Sequence, residues 1–276
     1  MTQRDEAELI TEILARYDRD GNLRRMIRSL EATVGSPLGR LILDQTNLKL
    51  EGANDLLGRA RHLLTNAARS VLLFPPYGWA PCGLTPQAAI DQALEVVDRT
   101  NSMEKAEMAL VEGWNADPWH LRFSETRLRG IGFADEGLAE VCTERAALVA
   151  KALTHHRSGA YEASVPIVMF QIDGLVRDLT AGRNGFFSDL GARTHLRDTT
   201  TIAGLDEGLA ALQSYFGRPQ ATSGSTGGIS RHGVVHGREL GYDTLINSTK
   251  CFVLLLAVIE WAGSRIEQRP GAHQDQ

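Results

Sequence analysis

Residues 136–181 have the sequence EGLAEVCTERAALVAKALTHHRSGAYEASVPIVMFQIDGLVRDLTA, in which apolar side chains recur at the spacing of a helix. The pattern predicts one helix near 136–157 and a second near 161–181. Gly159 lies between them, where helices often end. Pro166 falls in the first turns of the second helix, where its missing N–H costs least. Two long helices joined by so short a turn form an antiparallel hairpin.

The apolar stripe of each helix marks the side that faces the core. The two stripes consist of Leu138, Val141, Cys142, Leu148, Val149, Ala152 and Leu153, and of Val165, Val168, Met169, Ile172, Val176 and Leu179. Further helical patterns occur at 5–17, 22–33, 53–73, 87–99, 103–113, 205–216 and 243–267. No stretch alternates polar and apolar residues as a strand would. We therefore predict an all-α helical bundle. In its last helix the side chains that face the core are those of Phe252, Leu255, Leu256 and Ile259.

Prolines and aromatic residues interrupt the helical patterns at 74–86. Proline lacks the N–H that a helix interior needs, and the aromatic residues favour a packed connector over a floppy one. A turn is predicted at 114–119, with Pro118 near the start of the next helix. The predicted divisions are a helical N-terminal segment (1–73), a connector and helical region (74–135), a helical domain (136–267) and a disordered tail (268–276).

Composition excludes several classes of protein. Hydrophobic residues make up 43% of the 276, enough for a sizeable core. The N-terminus carries charges where a secretory signal would be apolar, and the apolar run Cys251–Ile259 has about half of the ~20 residues that a membrane span needs. The three cysteines are far apart in the sequence and odd in number, which favours reduced thiols over disulfides. These features predict a cytoplasmic protein that does not span a membrane.

The balance of charge is acidic, with a formal net charge of -5 and a pI near 5.9. Proteins that bind nucleic acid through bulk charge are usually basic. Any contact with RNA must therefore be made through a confined basic site.

The segment Ser230–Gly237, SRHGVVHG, concentrates the side chains best suited to chemistry. Its glycines and valines make a poor helix interior, so we expect Arg231, His232 and His236 at a helix entrance or in its first turn. In one interpretation His236 is a general acid/base and Arg231 holds a phosphate. In another the two histidines, four residues apart, form a metal pair, for which no third ligand is evident. In a third they are structural and bond loop carbonyls.

Arg231-His232-x-x-x-His236 resembles the motif of the HEPN superfamily, in which an Arg and a polar residue are followed by three residues and a His. In HEPN-like proteins of bacteria and phages an RHxxxHG core precedes a Tyr-x-Thr, an Asn and a long apolar helix. The positions that match this ending are Tyr242, Thr244 and Asn247. The stretch AYEASVPIVMFQIDGLVRDL at 160–179 resembles the penultimate long helix of such proteins, so the likeness covers about 136–265.

The resemblance implies a metal-independent endoribonuclease of phage defence or of a toxin system, without a cofactor. The 2′-hydroxyl of single-stranded RNA attacks the adjacent phosphate and leaves a 2′,3′-cyclic phosphate, which restricts the substrate to RNA. His236 would handle protons, Arg231 would stabilise the charged phosphorane and His232 would orient the pair. Many toxin members carry a Tyr two residues after the His, where this chain has Arg238. The alternative is a catalytically silent HEPN-like module that binds RNA, a nucleotide or a protein partner.

Several further residues are candidates for binding RNA or phosphate. They are Arg238, Tyr242, Asn247, Arg177 and Asp173. Asp173 and Arg177 are four residues apart on one helix, so a helix salt bridge is the competing interpretation for them.

The spacing within the motif bears on assembly. On a regular helix Arg231 and His236 point about 140° apart, so they would not share a face. Either the backbone departs from helix at Gly233, or a second copy contributes to the site. HEPN ribonucleases bring two motifs together across a two-fold axis, so the resemblance implies a homodimer. A cognate antitoxin or regulatory protein is a further expected partner.

Overall fold

A computed structural model describes residues 66, 69–180, 185–187, 206–217 and 229–267 of the chain. The helices predicted at 5–17 and 22–33, most of the one predicted at 53–73 and the tail at 268–276 lie outside this part. Contacts divide the chain after Arg69, and the helices that the structure describes belong to the second unit, Ser70–Gln276.

Helices account for 79% of the described residues, and none of these residues is in a strand. The all-α prediction is therefore confirmed for this part of the chain. The α-helices are α1 (Gln87–Thr100), α2 (Met103–Asn115), α3 (Pro118–Ala134), α4 (Ala139–Arg157), α5 (Tyr161–Leu179), α6 (Asp206–Gly217), α7 (Arg231–Val235) and α8 (Leu245–Glu267). Two 3-10 turns, Pro75–Tyr77 and Glu136–Leu138, complete the order.

Helices α4 and α5 pack against each other as the predicted antiparallel hairpin. Near the turn the ring of His156 contacts that of Tyr161, with centroids 5.7 Å apart. Farther along, Arg145 donates to Asp178 at 2.7 Å. Gly159 closes the turn with a φ of +79°, a left-handed conformation that glycine adopts without strain. The predicted stripe is wrong at Leu148, which is 40% exposed.

The turn between α2 and α3 is shorter than the predicted 114–119, because α2 continues through Asn115. Trp114 is buried, and burying an indole ring stabilises that last turn of the helix. Asp117 then caps α3 by accepting a hydrogen bond from the N–H of Trp119 at 2.9 Å, and Pro118 is the first helical residue, as predicted.

Helix α8 occupies the centre of the bundle and packs against α2, α3 and α5. Phe252, Leu255, Leu256 and Ile259 are all buried, as predicted. By length and composition the stretch Leu245–Gly263 could cross a membrane, but most of it is buried inside the protein. A helix that is apolar all round fits the interior of a bundle equally well.

The connector is ordered and packed, as predicted from its aromatic residues. Phe74, Trp79 and Cys82 are buried, and the 3-10 turn that begins the connector packs against α6. All three cysteines are free and buried. Burial, together with the charge of Glu260, raises the pKa of the Cys82 thiol to about 11, so this thiol is unreactive at neutral pH.

Candidate functional site

The motif segment forms a short, well-anchored helix, α7, which packs against α5 and α6. Ser230 caps its start, because the side-chain oxygen accepts a hydrogen bond from the N–H of Gly233 at 3.3 Å. Gly237, with a φ of +64°, turns the chain away at its end. The carbonyl of Gly233 then accepts from the N–H groups of Arg238 at 2.8 Å and Glu239 at 3.0 Å. These bonds hold the motif backbone at both ends.

The prediction that the three motif residues would all lie at a helix entrance is correct for two of them. Arg231 and His232 are the first two residues of α7, but His236 follows the last one. The glycines and valines did not prevent a helix here, because Ser230 and the Gly233 carbonyl supply local hydrogen bonds that offset the poor propensity.

The rings of His232 and His236 lie side by side on one face of α7. Their centroids are 6.1 Å apart, the planes differ by 8°, and both side chains are exposed. Neither imidazole has a hydrogen bond within the described part of the chain, and the half-exposed Arg231 has no ion pair there. The interpretation in which the histidines bond loop carbonyls therefore finds no such bond in this part of the structure.

Arg231 and His236 diverge, since α7 runs without interruption through Gly233. The backbone thus does not leave the helix at that glycine, which was one of the two arrangements considered from the spacing. Over the five residues that separate them, a helix turns the two side chains about 140° apart.

Tyr242 and Asn247 fasten the segment after α7 to its neighbours. The Tyr242 hydroxyl donates to the carbonyl of Glu162, at the start of α5, at 3.1 Å. Asn247 is buried, its backbone N–H bonds Thr244 and its side-chain amide donates to the carbonyl of Tyr242 at 3.2 Å. Arg238, by contrast, is exposed. Of the three, Arg238 is the one whose side chain faces solvent.

Asp173 and Arg177 form the helix salt bridge that was the competing interpretation, with 3.2 Å between Oδ2 and Nε. The other carboxylate oxygen of Asp173 accepts from the N–H of Phe187 at 3.4 Å. Both carboxylate oxygens of Asp173 therefore have partners within the fold. The Arg177 side chain is half-exposed, and the helix that carries it, α5, packs against α7.

A groove of about 490 Å³ opens elsewhere in this unit, and none of the candidate site residues lines it. Glu260 lies in it and accepts a hydrogen bond from the N–H of Gly83 at 2.7 Å. Among the described residues no group of three His, Cys, Asp or Glu side chains could hold a metal ion. The pair His232 and His236 accordingly lacks a third ligand in this part of the chain.

Four consecutive polar residues near the start of α8, Asn247–Lys250, are buried. The sequence had singled out only the first of them as a candidate site residue. Their four side chains form hydrogen bonds in different directions. The first bonds the turn before α8 and the second bonds α4 and α5. The third bonds α2 and the fourth bonds α6. A run of polar residues in a sequence does not indicate burial, because burial costs free energy unless the fold supplies hydrogen-bond partners. Glu239 was missed for the same reason: it is buried next to the motif, and its Oε1 has no hydrogen-bond partner among the described residues.

Ser248, His156 and Asn115 form a chain of hydrogen bonds in which the first two residues are buried. His156 Nε2 lies 2.8 Å from Asn115 Oδ1, and His156 Nδ1 lies 2.8 Å from Ser248 Oγ. Since the amide oxygen can only accept, Nε2 carries the proton and Nδ1 accepts from the serine. The order resembles an activated nucleophile, but Ser248 is wholly buried, so the chain serves to join α2, α4 and α8.

This arrangement requires a neutral imidazole. Burial and the nearby charge of Arg157 lower the pKa of His156 to about 4 from its usual 6.5. Between these values the unfolded chain binds a proton that the folded chain does not, so falling pH destabilises the fold. The contribution of His156 is fully present above pH 6.5 and is lost progressively as the pH falls toward 4.

We expect the free energy of unfolding to include a His156 contribution about 2 kcal/mol smaller at roughly pH 5 than at neutral pH. Urea unfolding of wild type and His156→Gln at both pH values isolates this contribution as a difference in pH dependence. His155→Gln, at the half-exposed neighbouring position, is the matched control and should keep the wild-type dependence. Equal pH dependence in all three proteins would contradict the assignment.

No family model matches the chain, and none of the curated proteins or solved structures with which it was compared is significantly similar to it. Proposals about function therefore rest on the residues, on their geometry and on the resemblance of the motif.

Proposed function

We propose that the protein is a metal-independent endoribonuclease of HEPN type that cleaves single-stranded RNA in the cytoplasm. The observation that carries the proposal is that Arg231 and His232, which begin the firmly anchored helix α7, and His236, which directly follows it, have no structural task in the described part of the chain. Other polar residues of this unit, such as His156 and Lys250, are buried and bonded. Side chains left accessible on a rigid element are suited to act on a ligand.

The roles follow from the chemistry of each side chain. His236 takes the proton of the RNA 2′-hydroxyl as its oxygen bonds the phosphorus, and the imidazolium so formed returns a proton to the 5′-oxygen as the bond from phosphorus to that oxygen breaks. Arg231 stabilises the additional negative charge on the phosphorane with its permanent, forked cation. His232, whose ring lies nearly parallel to that of His236 with 6.1 Å between the centroids, has the role of orienting the pair. Exposed Arg238 adds positive charge for the phosphate backbone.

The test of this function uses purified wild-type protein and single-stranded RNA in buffer with EDTA. We expect cleavage, with 2′,3′-cyclic phosphate and 5′-hydroxyl ends on the products, because the RNA supplies the nucleophile and no metal is needed. An absolute requirement for divalent metal, or products with 5′-phosphate ends, would contradict the proposal. Fragments can be identified by mass spectrometry.

We further propose that the active form is a homodimer in which the 231–238 segments of two chains face each other. The supporting observation is the uninterrupted helix α7, which keeps Arg231 and His236 of one chain apart. A two-fold axis would place Arg231 of one chain near His236 of its partner and would double the local positive charge. Val235 and Leu240 are exposed beside the motif and offer apolar area for such an interface.

Mixed dimers test the shared site. We expect Arg231→Ala and His236→Ala proteins, each inactive alone, to regain about a quarter of wild-type activity when their subunits are exchanged. Half of the dimers would then be mixed, and each would contain one intact site. Activity that does not return, although co-purification of differently tagged subunits shows that mixed dimers have formed, would mean that each chain supplies its own site.

A catalytically silent HEPN-like module is the second candidate. It is favoured by Arg238, which stands where many toxin members carry a tyrosine. Such a module would bind RNA, a nucleotide or a protein such as a cognate antitoxin without cutting RNA. RNA binding without cleavage, unchanged by His236→Ala, would select this function over the first. A role in phage defence or in a toxin system is proposed for either form.

A further inference from the structure

One face of α3 is exposed and carries aromatic and cationic side chains together. Trp119 is 56% exposed and Phe123, one turn later, is 37% exposed. Three arginines, Arg122, Arg127 and Arg129, are exposed around these rings. The single acidic residue of the helix, Glu125, is paired with Arg129 at 3.2 Å. We call this surface the aromatic–arginine face.

Helical geometry arranges the face as a track. At about 100° per residue, the side chains along its middle fall within an arc of roughly 60°. They are Trp119, Phe123, Thr126 and Gly130, all exposed. Arg122 and Arg129 lie along one edge of this row and Arg127 along the other. Leu121, Leu128 and Ile131 project from the opposite side into the core.

The arginines already engage the aromatic side of the track. The guanidinium of Arg122 lies 4.8 Å from the centre of the Trp119 ring, within the range of a cation–π contact. Arg157, at the end of α4, donates from Nη2 to the carbonyl of Pro118 at 2.8 Å. A further guanidinium is thereby held at the start of α3.

We propose that the aromatic–arginine face binds single-stranded RNA, with bases stacked on Trp119 and Phe123 and phosphates beside Arg122 and Arg127. Rings that accept bases, flanked by cations that accept phosphates, are the combination that proteins use for single strands. The acidic net charge of -5 supports a confined site, because an acidic protein must concentrate cations where it holds a polyanion. The choice of RNA as the strand rests on the proposed ribonuclease function; the stacking and the charge pairing do not.

The four tryptophans provide a direct readout. Trp79, Trp114 and Trp261 are buried, so Trp119 is the one that a nucleotide base can reach. Full-length protein is titrated at low salt with short oligoadenylate RNA and with the DNA oligomer of the same sequence, which lacks the 2′-hydroxyl needed for cleavage. We expect both strands to bind and to quench tryptophan fluorescence, and binding to weaken as salt is added.

Variants locate the binding. Trp119→Ala should weaken binding on the order of 5- to 150-fold, the equivalent of the ~1–3 kcal/mol of one base stack, whereas Trp119→Phe should retain most of it. Arg122→Gln and Arg127→Gln should each lower the slope of log K against log salt by about 0.7. Phe170→Ala is the matched control, because Phe170 is an exposed aromatic residue on α5 with no arginine three or four residues away from it. Fluorescence anisotropy of labelled strands measures every variant.

The proposal is overturned if neither strand binds at low salt, or if Trp119→Ala and the arginine variants bind as wild type does. Failure of the ribonuclease function is distinguishable from this. Strands that bind through Trp119 but are never cut would support the binding face and contradict the ribonuclease function. If Trp119→Ala cuts RNA at the wild-type rate at RNA concentrations below saturation, the ribonuclease function is supported and the binding face is contradicted.

Discussion

We expect Lys250→Met to lower the free energy of unfolding by about 3–5 kcal/mol, the usual cost of removing one partner of a buried ion pair. Lys250 is 2% exposed, forms an ion pair with Glu107 and donates to the Tyr215 hydroxyl at 3.0 Å. Its ammonium also lies over the rings of Trp79 and Tyr215, 5.5 and 5.0 Å from their centres. The substitution preserves most of the side-chain volume. It leaves the Glu107 carboxylate with Trp79 Nε1, at 3.2 Å, as its remaining hydrogen-bond donor among the described residues.

A double variant separates the ion pair from packing. Lys250→Met combined with Glu107→Gln removes both charges and should recover most of the lost stability, whereas Glu107→Gln alone should be destabilising. Urea unfolding followed by circular dichroism measures all three proteins. A loss below about 1 kcal/mol for Lys250→Met would show that the pair contributes little and that the charge of Glu107 finds other stabilisation.

The second large effect concerns RNA cleavage. We expect His236→Ala and Arg231→Ala each to reduce the rate on the order of 10²-fold or more, the scale for lost acid–base or oxyanion groups. Both side chains lack hydrogen-bond partners in the described part of the chain, so the variants should unfold at the wild-type urea concentration. Catalytic loss without loss of stability is the signature of a reacting group.

Two controls sharpen the interpretation of that loss. Arg231→Lys keeps the charge but loses the forked donors, so we expect only partial recovery of the rate. His155→Ala removes a histidine from the end of α4 and should cut RNA at the wild-type rate. Cleavage that survives His236→Ala would exclude this histidine as the proton-transfer group.

Apolar spacing predicted six of the described helices, α1, α2, α4, α5, α6 and α8, but not α3, which was expected only from Pro118, nor α7, whose residues favour a helix poorly. The periods at 136–157 and 161–181 predicted α4 and α5 to within a few residues, because burial of one stripe dominates the energy of such helices. Leu148 shows the limit: it fits the period, but the bundle leaves it exposed. Which residues of a stripe are covered depends on the packing of neighbouring helices, and one sequence does not specify that.

The chemistry of the motif stays a prediction, whereas its geometry can be compared with what the sequence indicated. Residue types alone pointed to Arg231, His232 and His236, but the helix through Gly233 depends on the Ser230 cap and on the bonds to the Gly233 carbonyl. Lys250 could not be found in advance, because a lysine in a polar run resembles a solvated one until Glu107, Trp79 and Tyr215 surround it.

In the proposed mechanism RNA supplies its own nucleophile at the Arg231 and His236 site. This mechanism is tested most directly with one RNA whose cleavage position has been mapped, compared in EDTA with the same RNA carrying a single 2′-deoxy nucleotide immediately before that position. We predict that wild-type protein cuts the first and leaves the second intact there, while His236→Ala cuts neither. Equal cleavage of both strands, or cleavage that returns only with added metal, would contradict this mechanism.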